Sequence, residues 1–276
     1  MPDIRLITLD LDGTLLNSEK QLTEENADAL QKASAAGIEI VPATGRFYRG
    51  MPEVIRNLPF VHYVISINGA EIYDVANDRV IGGSEIPYEQ AISIMEYLDT
   101  LPVIYDCYQD GWGWMTKTLY DQAEDFAATV HSLNMIKNLR TPVPDLKARL
   151  LEKKAGVQKI QFFFKDMALR AETLRTLPER YPDLAVTTSI VNNVELNNRN
   201  ATKGIALKKL AKHLHLRLRE TMAFGDDLND VTMLKAAGIG IAMGNASEAA
   251  KAAADYVTDD CDRNGVAKAL RLFLKF

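Results

Sequence analysis

"ITLDLDGTLL", residues 7–16, closes an apolar run with two aspartates, Asp10 and Asp12, separated by a single leucine. The segment "IRLITLDL" (residues 4–11) is short and almost continuously apolar, which is typical of a strand buried on both faces of a sheet. A carboxylate buried at the end of such a strand is costly unless a partner compensates its charge. The stretch therefore predicts a central strand with a compensating group beside the two aspartates.

The segments on either side alternate between helical and strand patterns. Helices are predicted in "LTEENADALQKASAAG" (residues 22–37) and "FYRGMPEVIRNL" (47–58), and strands in "IEIVPATGR" (38–46) and "YVISINGAEIYD" (63–74), the last running into a hairpin. The pattern returns near the C-terminus, with a helix in "TKGIALKKLAKHL" (202–214) and strands in "TMAFGDD" (221–227) and "IGIAMG" (239–244). This order predicts an α/β class with a doubly wound, mostly parallel, Rossmann-like sheet.

The middle of the chain has a different pattern. From about Ser84 to about Asn193 the strand-like segments carry more polar and aromatic residues, and "PVIYDCYQDGWGWMTK" (102–117) has the pattern of a hairpin around "QDG". We therefore expect residues 1–83 and 194–276 to form a catalytic core and residues 84–193 an inserted α+β domain. This domain would act as a lid that selects the substrate and excludes water.

Composition limits the possible partners. The chain has 276 residues, 47% of them hydrophobic, and a formal net charge of -5, with no basic tract of the kind that binds nucleic acid. No stretch approaches the length of a membrane span, and the N-terminus lacks the apolar core of a signal peptide. Two distant cysteines form neither a metal motif nor a disulfide framework. The expectation is a soluble, cytoplasmic protein that binds a small ligand, and the sequence leaves its oligomeric state open.

Four stretches carry the polar groups of a candidate site, and each lies at or beside the end of a predicted strand or the start of a helix. In an open parallel sheet, ligands bind beyond the carboxyl ends of the strands. Several carboxylates there would repel one another unless a divalent cation neutralised them, and Mg²⁺ prefers such hard oxygen ligands. A hydroxyl and an ammonium beside that metal indicate a phosphoryl-binding site. The stretches are residues 10–14 (DLDGT), 43–46 (ATGR), Lys203 and residues 225–230 (GDDLND).

Two carboxylates in this arrangement can divide the chemistry. Asp10 can attack phosphorus and form an aspartyl-phosphate. Asp12 can protonate the leaving oxygen and later activate the water that attacks the intermediate. Mg²⁺ and Lys203 would neutralise the charge on the transferring group.

These motifs resemble those of the haloacid-dehalogenase-like (HAD) superfamily of phosphohydrolases, and in particular its Cof-type branch. "DLDGTL" resembles the first motif of the family, "ATGR" the second, Lys203 the third and "GDDLND" the fourth. The resemblance covers nearly the whole chain, including an inserted cap of roughly 100 residues between the second and third motifs. "NGA" at residues 68–70 and "NGVAKAL" at 264–270 also resemble landmarks of the family.

The resemblance implies a role for each motif residue. Asp10 would be the nucleophile and a Mg²⁺ ligand, Asp12 the acid/base and a ligand through its backbone carbonyl, and Asp226 the third ligand. Either Asp227 or Asp230 would orient Lys203 or a metal-bound water. The phosphate would be held by Thr44, Gly45, Lys203, Asn229 and the backbone at Leu11.

Several residues have two open interpretations. Arg46 could contact the substrate or pair with a carboxylate. Asn198 and Asn200 stand where the family often has proline and glycine, and they could form a turn or reach the substrate. Trp112 and Trp114 could pack the core of the inserted domain or form a rim over the substrate.

Three functions fit these patterns. The leading hypothesis is a Mg²⁺-dependent phosphatase of small phosphorylated metabolites, such as sugar phosphates or phosphorylated cofactors. A phosphomutase would use the same nucleophile and return the phosphoryl group to a sugar. A phospho-accepting signalling domain would also join carboxylates, a threonine and a lysine, but Asp12 and the large insertion argue against it.

Overall fold

The chain folds into two compact units, seen in a computed structural model that describes residues 3–275. The core unit contains the chain up to Gly83 and again from Ala201, and the inserted unit runs from Ser84 to Asn200. The predicted fold class, a doubly wound α/β core with an inserted α+β domain, is confirmed. The inserted unit ends seven residues later than the predicted boundary at residue 193. The cause is that strand β11 (Asn193–Asn198) pairs within the sheet of that unit.

A five-stranded parallel sheet forms the centre of the core unit, in the order β14–β13–β12–β1–β2. Every residue of β1 and β12 is buried, as expected for strands covered on both faces. Leu9 is in register with Phe224 on one side and with Pro42 on the other, so the carboxyl ends of three strands lie at one edge. The strands are β1 (Leu6–Leu9), β2 (Glu39–Pro42), β12 (Thr221–Gly225), β13 (Ile239–Ala242) and β14 (Tyr256–Val257).

Helices and a small antiparallel sheet complete the core unit. The small sheet has the order β3–β4–β5, and Ala43, after β2, forms a parallel bridge to Ile65 of β3. The helix predicted between residues 47 and 58 is instead a 3₁₀ turn followed by the single turn α2, because Pro52 interrupts it. The elements are α1 (Glu24–Ala35), α2 (Glu53–Arg56), β3 (Tyr63–Ser66), β4 (Glu71–Asp74), β5 (Arg79–Gly83), α9 (Lys203–His213), α10 (Val231–Ala236), α11 (Glu248–Ala253) and α12 (Gly265–Leu274).

The inserted unit is built on a six-stranded sheet in the order β10–β11–β9–β6–β7–β8. All neighbouring pairs are antiparallel except β7 with β8. Asp110 and Gly111 both have positive φ (56° and 67°), so the predicted hairpin turn forms between β6 and β7. The strands are β6 (Val103–Gln109), β7 (Trp112–Thr116), β8 (Arg140–Val143), β9 (Lys159–Phe164), β10 (Leu184–Thr187) and β11. The helices are α3 (Tyr88–Leu98), α4 (Lys117–Tyr120), α5 (Ala123–Phe126), α6 (Val130–Leu139), α7 (Leu146–Lys153) and α8 (Met167–Arg180).

Between residues 3 and 275, no helix combines the length and the apolar character that crossing a bilayer requires.

Candidate active site

A pocket of about 250 Å³ opens at the carboxyl edge of the parallel sheet in the core unit. Its position follows from the register, because Asp10, Thr44 and Asp226 each come one or two residues after the neighbouring strands β1, β2 and β12. The backbone bonds continue past the strands, with Asp10 N–H donating to Phe224 O at 3.0 Å. The pocket is lined by Asp10, Asp12, Thr44, Gly45, Arg46, Asp226, Asp227 and Asn229.

Lys203 lies between two carboxylates beneath this pocket. Its Nζ donates to Asp10 Oδ1 at 2.5 Å and to Asp230 Oδ1 at 2.6 Å, and its side chain is 0% exposed. The other oxygen of Asp230 accepts hydrogen bonds from the backbone N–H groups of Asp226 and Asp227. Asp230 therefore holds both Lys203 and the loop after β12, and it is the carboxylate that orients Lys203.

The ionisation of the cluster reflects its burial. Burial raises the pKa of Asp10 to about 7, with Lys203 opposing the shift and the carboxylates of Asp230 and Asp226 adding to it. Burial also raises the pKa of Asp226, against a hydrogen bond from Thr14. For Lys203 burial alone would lower the pKa, but the two neighbouring carboxylates raise it overall. Three acids and one ammonium thus leave an excess of negative charge in a poorly solvated site.

Two carboxylate oxygens of this cluster are available to a cation. Asp10, Asp226 and Asp230 each offer an oxygen, and these atoms lie within 4.8 Å of one another. Both oxygens of Asp230 already accept hydrogen bonds, and Thr14 donates to Asp226 Oδ1 at 2.7 Å. Among the described residues 3–275, none donates a hydrogen bond to Asp10 Oδ2 or to Asp226 Oδ2. Hard oxygen donors with uncompensated charge fit a divalent cation such as Mg²⁺.

Gly13 lies against the carboxylate of Asp226. Its φ is +94°, and a Cβ built there would be 2.5 Å from Asp226 Oδ2. Its carbonyl accepts a hydrogen bond from Asn245 Nδ2 at 2.8 Å, which ties the "DGT" turn to the loop after β13. A side chain at this position would therefore displace Asp226.

Asp12 is held by two cations at the side of the pocket. Arg46 donates to both of its oxygens, Nε to Oδ2 at 3.0 Å and a terminal nitrogen to Oδ1 at 3.1 Å. Lys20 Nζ lies 3.1 Å from Asp12 Oδ1. Although burial acts in the opposite direction, these hydrogen bonds and charges lower the pKa of Asp12.

A sequence profile described as haloacid dehalogenase-like hydrolase matches residues 7–270. The chain belongs to this family. It is 34% identical to "Phosphatase YwpJ" of Bacillus subtilis, over 98% of this chain and 100% of that protein. It is 32% identical to "5-amino-6-(5-phospho-D-ribitylamino)uracil phosphatase YcsE" of the same species, over 98% and 95%. The solved structure of the HAD phosphatase BT1666 from Bacteroides thetaiotaomicron is 30% identical, with a TM-score of 0.77 over 99% of this chain and 96% of that one. The chain is thus a HAD-family phosphatase.

The structure brings together most of the residues that the motifs of this hydrolase predict. Leu11 is an exception, because the residue is 0% exposed in the hydrophobic core and is not among the residues that line the pocket. Asp227 Oδ1 accepts a hydrogen bond from the N–H of Leu228, so that oxygen caps the local turn. Of the two interpretations of Arg46, the structure has the pairing with a carboxylate.

Four further predicted residues belong to the inserted unit, where they make local contacts. Asn198 Nδ2 donates to Glu85 O and its Oδ1 accepts from the N–H of Asn200, so these residues form a turn. Trp112 Nε1 donates to Thr141 Oγ1, and Trp114 Nε1 donates to the carbonyl of Gln109. Both indoles are therefore anchored within that unit.

No role was predicted for three residues that contact the predicted ones. Lys20, Thr14 and Asn245 bind Asp12, Asp226 and the Gly13 carbonyl. Thr14 could have been found, since it lies in the first motif. Lys20 and Asn245 carry no such signal, because their positions depend on how distant loops fold.

Proposed function

We propose that this hydrolase is a Mg²⁺-dependent phosphatase that cleaves monoesters of small phosphorylated metabolites through an aspartyl-phosphate at Asp10. The observation that carries the proposal is the state of the Asp10 carboxylate. Lys203 fixes its Oδ1, and within residues 3–275 no group donates a hydrogen bond to its Oδ2, while the residue lines the pocket together with Asp226. A nucleophile needs such a fixed orientation with an unblocked attacking atom.

The first half-reaction transfers the phosphoryl group to the enzyme. The free oxygen of Asp10 forms a bond to phosphorus as the bond from phosphorus to the ester oxygen breaks, and Asp12 gives a proton to that oxygen. Mg²⁺ would be held by Asp226, by the backbone carbonyl of Asp12 and by the Asp10 oxygen that does not attack, and it would supply positive charge next to the phosphoryl oxygens. Lys203 keeps Asp10 from rotating and offsets part of the charge.

The second half-reaction releases phosphate. Water attacks phosphorus, Asp12 takes the proton from that water, and the bond between phosphorus and Asp10 breaks. The observed ion pairs of Asp12 with Arg46 and Lys20 keep it ionised, which suits its task as a base. For the first half-reaction it must bind a proton, so Arg46 has to release at least one of its oxygens.

We assign phosphate binding to polar groups around the pocket. Thr44 is nearly buried with its N–H donating to Ile65 O, which fixes the backbone of the second motif. Gly45, Asn229 and the backbone at Leu11 would complete the set of donors. Such a set of backbone and side-chain donors is the usual way in which proteins hold a phosphate.

We assign the choice of substrate to the inserted unit, which contains a buried charge network that the phosphoryl chemistry does not use. Arg140 donates to Asp106 at 2.9 Å and to Tyr108 at 2.8 Å, and Lys159 lies 3.2 Å from Glu195. Burial raises the pKa of Asp106 despite Arg140, and within residues 3–275 its Oδ1 has no hydrogen-bond partner. Asp106 is 0% exposed, so this network joins strands of the inserted sheet from within.

The decisive experiment is a panel of phosphorylated metabolites assayed for inorganic phosphate with Mg²⁺ or with EDTA. We expect Mg²⁺-dependent release, as well as hydrolysis of p-nitrophenyl phosphate. Asp10→Asn should lose more than ~10³-fold of that activity, and it should no longer trap acid-stable phosphate on the protein. Asp28→Asn, an exposed aspartate of α1, is the matched control and should retain full activity. Full activity of Asp10→Asn would refute the nucleophile, and transfer to a second sugar without phosphate release would indicate a mutase.

A further inference from the structure

The turn between β3 and β4 has an unusual backbone. Ile67, Asn68 and Gly69 have successive positive φ values of 50°, 55° and 96°. Glycine adopts this region freely and asparagine tolerates it, but a β-branched isoleucine does so rarely and only under strain. Such a turn persists only where surrounding contacts hold it.

Those contacts come from the second motif and from the start of α9. The N–H of Ile67 donates to Arg46 O and the N–H of Asn68 donates to Thr44 O, each at 3.0 Å. On its other side the turn lies close to the backbone before Lys203, since a Cβ at Gly69 would be 2.3 Å from Thr202 O. The turn is therefore fixed between two segments that contribute to the pocket.

The side chain of Asn68 reaches a third segment. Its Oδ1 accepts a hydrogen bond from Asn229 Nδ2 at 3.0 Å, across 161 positions of sequence. A Cβ at Gly45 would lie 3.2 Å from the same oxygen. The amide of Asn68 thus fits between Gly45 and Asn229, both of which line the pocket.

We propose that Asn68 is a positioning residue that orients the amide of Asn229 for phosphate binding. This inference rests on the phosphate-binding role assigned to Asn229 above. Asn229 is an exposed side chain whose rotamers would otherwise be free. With one N–H of Nδ2 donated to Asn68, the other N–H of the same nitrogen is held ready for a phosphate oxygen. The strained turn holds the Asn68 side chain in place, so that its oxygen can align the amide of Asn229.

A double-mutant cycle tests the coupling. Asn68→Gly removes the amide and keeps a residue that tolerates the positive φ, and Asn229→Ala removes the oriented group. The readouts are the dissociation constant of inorganic phosphate by calorimetry in the presence of Mg²⁺, and KM and kcat for p-nitrophenyl phosphate. We expect Asn68→Gly and Asn229→Ala each to weaken phosphate binding by about 3- to 10-fold, and the double variant to match Asn229→Ala within about twofold. KM should change more than kcat.

Asn68→Asp is the matched control, because it keeps an oxygen acceptor and the preference for this backbone region. In the Asn68→Asp background, the change Asn229→Ala should still weaken phosphate binding. In the Asn68→Gly background it should have no further effect. Because the effect of Asn229→Ala is compared within each background, the added charge of Asn68→Asp and any general loss of stability cancel.

Three outcomes overturn the inference. Independent, multiplicative effects of Asn68→Gly and Asn229→Ala would show that the two residues act separately. The same effect of Asn229→Ala in the Asn68→Gly and Asn68→Asp backgrounds would show that the acceptor is irrelevant. No effect of Asn229→Ala in the wild-type chain would remove the group that Asn68 is said to orient. In each case Mg²⁺-dependent hydrolysis lost in Asp10→Asn would leave the proposed function intact.

Discussion

Replacing Lys203 by methionine tests the electrostatics of the site directly. The ammonium lies between Asp10 and Asp230, all three side chains being almost fully buried. Removing one partner of a buried ion pair costs about 3–5 kcal/mol of unfolding free energy. The loss of unfolding free energy has an upper limit. The variant can neutralise the unpaired carboxylate by binding one more proton than the wild type does. Protonating a carboxyl of ordinary pKa 3.8 costs about 5 kcal/mol at pH 7.5 but only about 2 kcal/mol at pH 5.5.

The sign of the pH dependence follows from this extra proton. The folded variant binds this proton more tightly than the unfolded variant does. The pKa of the carboxyl that takes up the proton is therefore higher in the folded state. Its stability relative to the wild type therefore improves as the pH falls. We expect Lys203→Met to lose about 3–5 kcal/mol at pH 7.5 and no more than about 2 kcal/mol at pH 5.5.

Urea unfolding of the metal-free protein in EDTA measures the loss of unfolding free energy at each of the two pH values. Lys208→Met, an exposed lysine on the same helix, controls for the general effect of the substitution and should stay within about 0.5 kcal/mol of the wild type. A loss below about 1 kcal/mol at pH 7.5, or one that is the same at both pH values, would refute the reasoning.

Two further substitutions probe the cation site and the inserted unit. Gly13→Ala should weaken Mg²⁺ binding at least ~10-fold, because its Cβ would press on Asp226 Oδ2. Gly37→Ala has a similar φ of +83° with nothing within 4 Å, so it should cost about 1 kcal/mol of stability and leave Mg²⁺ binding unchanged. Equal Mg²⁺ affinities in a titration of the two variants would contradict this. Asp106→Asn should cost about 3–5 kcal/mol of unfolding free energy, because it leaves the Arg140 guanidinium buried without its carboxylate. An unfolding free energy of Asp106→Asn within about 1 kcal/mol of the wild type would contradict this.

The fold was predictable because its signals are local. Strands covered on both faces have continuous apolar runs, and the glycine and asparagine turns between them can be read residue by residue. The exceptions are also instructive. Pro52 shortens a helix that the apolar spacing favoured. The strand "NVELNN" at residues 193–198 lies in the inserted sheet although its sequence is largely polar, since its buried amides and Glu195 find partners there.

The candidate site was predictable where its residues follow the ends of strands. Asp10, Thr44 and Asp226 come one or two residues after neighbouring parallel strands, and the register of those strands brings them together. The two interpretations of Arg46 could not be separated in this way, because its ion pair with Asp12 depends on side-chain direction. The contact of Asn68 with Asn229 had no signal in either segment.

The sequence by itself therefore determined the α/β core, the insertion and the carboxylates at the edge of the sheet. Strand periodicity and the position of a residue after a strand are properties of short segments. Only the tertiary structure decided that Lys203 is buried between Asp10 and Asp230, that Asp12 is paired with Arg46, and that a strained turn reaches Asn229. These contacts join segments far apart in the chain, so their energies depend on packing and burial that no single segment contains.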